Sequence, residues 1–152
     1  MFVILFLGTA TKTFADSFIL NISFTEGEKS KDSHSSTTSI EMNGNEIIYS
    51  KSFSGYGSGK TENKTCTFTD EQTSKIQEFL KQNNLNKDDS LFQKSSKYKS
   101  YEVFVNVTIS LVMWENVSKI RINGDTEEFK GEPLYKNSLK LIALIEGYLD
   151  KR

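Results

Sequence analysis

An α+β fold is predicted by three features of this chain: period-two apolar runs that read as strands, an Asn-Gly turn between two of them, and two stretches with apolar residues at helical spacing. The expected architecture is one antiparallel sheet of about five strands, made from two hairpins and an N-terminal strand, with two helices packed on one face. The 152 residues are 36% hydrophobic and 12% aromatic, enough for one domain with a core that needs neither metal nor disulfide.

The first strand is expected at Phe18, where Phe18, Leu20, Ile22 and Phe24 alternate with Ile19, Asn21 and Ser23. A polar loop, Thr25 to Ser36, follows and carries the single His34. From Thr37 to Ser54 a hairpin is centred on Asn43-Gly44, residues that tolerate positive φ in a tight turn. That turn pairs Ile40 with Ile47 and Thr38 with Tyr49.

Thr69-Asp-Glu-Gln72 has the form of a capping box, so a helix is expected from Asp70 to about Asn83, with Ile76, Phe79 and Leu80 as its apolar stripe. Leu85 to Lys99 reads as a polar connection anchored by Leu91 and Phe92. The clearest strand runs from Tyr101 to Met113, seven apolar residues at strict alternation, and a turn at Glu115-Asn116 would pair Leu111 with Ile120. A closing helix from Pro133 to about Leu149 places Leu134, Leu141, Ile142, Ile145 and Leu149 on one side. The hairpin-then-helix order occurs twice and suggests a duplicated ββα plan.

Residues 1–15 resemble a signal peptide: a short apolar run, Met1 to Gly8, and small residues at Thr13-Phe-Ala15, but no basic residue in front. The expectation is a single α+β domain over 16–152, periplasmic or extracellular, without a membrane anchor after cleavage. Four Asn-X-Ser/Thr sequons, at Asn21, Asn63, Asn106 and Asn116, matter only in a eukaryotic secretory pathway.

The chemistry is narrowed by composition. Nineteen basic against twenty acidic residues leave a net charge of −1, which gives no electrostatic pull toward nucleic acid. One His, one Cys and one Pro do not supply a zinc cluster, a disulfide framework or a histidine-based triad, and no cofactor or metal is expected. Cys66 reads as a small core residue. Ser54 to Thr61 imitates a phosphate loop, but Ser54 replaces the leading glycine and no helix pattern follows Thr61. Acid pairs such as Asp70-Glu71 read as capping or solvated charge.

What remains is a mobile glycine-rich loop bearing aromatic and basic groups. Phe53, Gly55, Tyr56 and Lys60 are its candidate partner-binding residues, because an aromatic on an exposed backbone suits contact with a protein. The segment Tyr49-Ser-Lys-Ser-Phe-Ser-Gly-Tyr56, followed by a capped helix, a long hairpin and a closing helix, resembles the emfourin-type inhibitors of thermolysin-like metallopeptidases over Glu46 to Leu149. That family places glycines beside an aromatic after an early strand. Ser54 interrupts this arrangement, so the resemblance carries over to Phe53, Gly55 and Tyr56 alone. It implies a secreted, non-enzymatic peptidase inhibitor. The alternatives are a small exported hydrolase working through two carboxylates, and a structural or accessory protein of the cell envelope.

Overall fold

The computed structural model describes residues 18–28, 34–55, 59–93 and 103–151. The expected signal peptide and Tyr56 lie outside the described residues. The elements are β1 (Phe18–Glu28), β2 (Ser35–Asn43), β3 (Glu46–Ser54), β4 (Lys60–Thr67), α1 (Asp70–Gln82), β5 (Asp89–Phe92), β6 (Val103–Met113), β7 (Asn116–Asp125), α2 (Thr126–Phe129) and α3 (Pro133–Leu149). One seven-stranded sheet runs in the order β4-β3-β2-β1-β6-β7-β5. Its pairs are antiparallel except β5 with β7.

β1 lies at the centre, between β2 and β6, because its alternation gives it a complete apolar row. Phe18, Leu20, Ile22 and Phe24 are buried, and so are Val105, Val107, Ile109, Leu111 and Met113 beside them on β6. On the other side, Ile40 and Met42 of β2 and Ile47 and Tyr49 of β3 continue the same face. A single buried sheet surface results, and the helices seal it.

Helix α1 begins as its sequence requires. The Thr69 side chain accepts the Gln72 N–H, and the Gln72 side chain accepts the Thr69 N–H in return. Ile76 and Leu80 face the sheet. Because β4 and β5 sit at opposite edges, the chain crosses the whole sheet between them, and α1 makes most of that crossing. Helix α3 opens with Pro133 in its first turn and buries Tyr135, Leu141, Ile142, Ile145 and Leu149. Each such side chain removed from water contributes about 1.5–3 kcal/mol before entropy is counted.

The expectation of about five antiparallel strands, two helices and a ββα repeat is corrected here. Among the described residues the sheet is mixed and has seven strands, three helices are present, and β4 intervenes between the first hairpin and α1, which breaks the repeat. The missed strands share a cause, that they bury little, whereas α2 buries Thr126 and Phe129 but is too short to show a helical period. Along β4 the residues Lys60 to Thr67 are exposed or half-buried, so an edge strand of Lys, Thr, Glu and Asn shows no apolar alternation. β5 has four residues, with Leu91 alone packed on the core, and α2 is a single turn capped by Asp125.

Both hairpin turns lie one residue from their expected places. The first uses Gly44-Asn45 and pairs Ile40 with Tyr49 and Met42 with Ile47. Gly44 takes φ +58° as the first turn residue, where a II′ turn needs it. Asn45 is held from outside the hairpin: its amide donates to Asp70 Oδ1 at 2.6 Å, and its carbonyl accepts the Phe68 N–H at 2.8 Å. The second turn is Trp114-Glu115 and pairs Ile109 with Ile120. Trp114 adopts φ +56°, and the Lys81 ammonium of α1 sits 4.0 Å from its ring centroid. Each displacement changes the register by two residues, so no side chain changes face.

Candidate functional site

The helices do not reach the far end of the sheet surface they cover. β1 takes in the first four residues of the expected loop, Thr25 to Glu28, with its pairing register unbroken, so Glu26 and Glu28 keep the parity of Phe24, although the burial alternation ends there: Gly27 is buried and Glu28 exposed. Across the strands, Val105, Glu26, Ser36, Phe53 and Lys60 form one row. An open cleft of about 720 Å³ lies there, and Glu26, Glu28, His34, Ser36, Phe53 and Gly55 contribute to its lining.

The rim is built by close backbone approach. His34 enters β2, where its carbonyl accepts the Glu28 N–H at 2.8 Å. Its imidazole lies against Gly55: a Cβ at Gly55 would come 2.9 Å from His34 Cδ2. A larger residue there would push the ring away. Phe53, 48% exposed, lines the same cleft as His34, and the Lys51 ammonium lies 5.9 Å from its centroid.

Polar contacts tie this end of the sheet to α3. Tyr49 donates its hydroxyl proton to Glu146 Oε1 at 2.7 Å, and the Lys51 ammonium reaches the same oxygen at 3.2 Å. Burial raises the Tyr49 pKa well above its ordinary value, and the Glu146 hydrogen bond adds to the effect. Tyr135, only 4% exposed, is pushed up to about 12, first by burial and then by the negative charge of Glu26. The cleft carboxylate is thus felt in the core.

Of the sequence-derived candidates, Phe53 and Gly55 line the cleft, and Lys60 opens β4 directly across from Phe53. Lys60 and Thr61 start a strand, not a helix, so the resemblance to a phosphate loop has no helix N-terminus behind it. Tyr56 lies outside the described residues. Sequence reasoning missed Glu26 and Glu28; His34, which reads as a surface histidine in a polar loop, is exposed and lines the cleft. The available sign was that Phe24, Glu26 and Glu28 share a parity, which puts acids on a face where apolar residues are expected.

Among the described residues, no three His, Cys, Asp or Glu side chains are grouped to hold a metal ion. Cys66 is a free, half-buried thiol packed against the core. No helix among the described residues is long and apolar enough to cross a membrane. Compared with protein families and with characterised proteins, the chain matches none. The arrangement can do two things chemically: offer an aromatic anchor on extended backbone, and receive a cationic group between Glu26 and Glu28.

Proposed function

We propose that this chain is a secreted or periplasmic binding protein without catalytic activity, and that its partner is a peptidase. The observation that carries the reading is Phe53. A half-exposed aromatic at the end of β3, on a rim fixed by the β1–β2 and β2–β3 ladders, presents an apolar side chain on extended backbone, as a peptidase cleft accepts one. Gly55 lets His34 close over that rim, and Lys60 flanks it from β4.

The hydrolase reading is kept alive by one finding. Glu26 and Glu28 line a common cleft, and two residues along a strand separate by about 7 Å, within the span used by carboxylate pairs in glycoside hydrolysis. Against it, Glu28 is exposed and the cleft is open to water.

One experiment separates the two. The purified protein is incubated with a panel of secreted peptidases, and separately with polysaccharides. Binding or inhibition that weakens at least about tenfold in Phe53→Ala, and weakens in Tyr56→Ala, while surviving Glu28→Gln, supports the inhibitor. Release of sugar that vanishes in Glu28→Gln and survives Phe53→Ala would replace it with the hydrolase.

A further inference from the structure

The second face of the sheet points away from the helices, and its side chains are distributed in a pattern. Most are Ser, Thr and Asn, as a solvated face allows. Three apolar exceptions, Ile19, Val112 and Val117, are cross-strand neighbours on β1, β6 and β7 at the hairpin-turn end of the central strands, while Phe104 and Phe92 lie toward the other end of the same face. Val117 is 75% exposed, the highest value among the large apolar side chains of the described residues, and Ile19 and Ile48 are 40% and 53% exposed. Charge is divided between strands as well: Glu41 lies on β2, while Lys119 and Arg121 lie on β7, on the opposite side of the β1–β6 pair, with Asp88 and Asp89 lining a pocket beside them at the sheet edge. None of these three forms an ion pair with a described residue.

We propose that this open face is self-complementary and joins two copies of the chain as a symmetric dimer. A two-fold axis parallel to the strands, placed between β1 and β6 in the contact plane, lays β6 over β1 of the second copy and β7 over its β2. Rows are preserved by that operation. Asn21 and Ser110 lie in one row with Glu41 and Lys119, so Lys119 comes opposite Glu41 of the second copy, and the reverse pair forms by symmetry. Val112 meets Ile19 in the same way, which gives a four-residue apolar cluster on the axis. Val117 stands over the groove of about 650 Å³ that Ile19, Ile48 and Asn43 help to line.

The geometry tolerates sheet twist. Packed sheets cross at about 30°, which displaces β7 against β2 by about 4 Å at their distance from the axis, less than one row of about 7 Å. Seven strands about 4.8 Å apart, each presenting about eight residues, give a face of about 800 Å², the area one partner contributes to a standard interface. The cleft at Phe53 lies at the end of the strands away from the hairpin turns, beyond the apolar cluster on the axis.

The test is the mass of the purified protein in solution by light scattering or sedimentation. The wild type should run at twice the mass of its own chain, as read for the denatured protein, at about 50 µM. Glu41→Lys, and separately Lys119→Glu with Arg121→Glu, should each weaken dimerisation at least about tenfold, and mixing the two charge-reversed proteins should restore a one-to-one pair. Val117→Asp is the second route to dissociation. All four positions are outside the core, so unchanged circular dichroism confirms that each variant folds. A wild type that remains a single chain at about 200 µM overturns the proposal. So does a dimer that all of these variants leave intact.

Discussion

Leu111 and Val112 are adjacent in the chain and live in different environments. Leu111 is buried under the helices, and Val112 is half-exposed on the open face. The same contrast runs along β1, where Phe18, Leu20 and Ile22 are sealed and Ile19, Asn21 and Ser23 are in water. Period-two geometry makes one sheet carry two unrelated surfaces. Stability belongs to the helix side. The two proposed contacts, with a second copy and with a peptidase, use the open face and the far end of the strands.

The largest expected effect breaks that contrast directly. Leu111→Ala leaves a cavity under α1 and α3 and should cost about 2–5 kcal/mol in denaturant unfolding, whereas Val112→Ala should cost less than about 0.5 kcal/mol under conditions where the protein is a single chain. Equal losses would mean that the second face is packed as well.

A smaller effect sharpens the description of the core beneath the cleft. Tyr135 holds its proton to about 12 in the folded protein against 10.0 unfolded, so its contribution is complete below pH 10 and fades as pH rises from about 10 through 12. A loss on the order of 2 kcal/mol over that window follows from the shift, and it should flatten in Tyr135→Phe. Tyr49 acts in the same direction, because burial and its bond to Glu146 both favour the neutral hydroxyl. Ultraviolet titration of tyrosinate, paired with urea unfolding at each pH, measures this. Glu26→Gln should move the Tyr135 transition downward, since it removes the negative neighbour.

The smallest effect concerns a turn. Gly44→Ala forces a side chain into φ +58° and should cost about 1 kcal/mol, read as a lower denaturation midpoint with an unchanged slope.

The legible parts of the chain were those whose local chemistry agrees with their burial. The Thr69–Gln72 box and Pro133 place the starts of α1 and α3 in the sequence, and the alternation from Phe18 and from Val103 places the central strands. The turns were legible only to within one residue. Their final positions depend on Asp70 and Lys81, which belong to α1 and meet the hairpins only in the folded protein. β4 and β5 were illegible because edge strands bury too little to need an apolar pattern. At the site, Phe53, Gly55 and Lys60 could be read from the glycine-rich segment. The cleft they border could not, because Glu26 and Glu28 look like loop residues until the alternation of β1 is followed through them.

The binding account rests most directly on Phe53, and a titration of a thermolysin-like metallopeptidase with the wild type and with Phe53→Ala tests it. The account predicts saturable inhibition by the wild type, weakened at least about tenfold in Phe53→Ala, with both proteins melting within about 2 °C of each other. Full peptidase activity at saturating wild type, or equal inhibition by the two proteins, would contradict it.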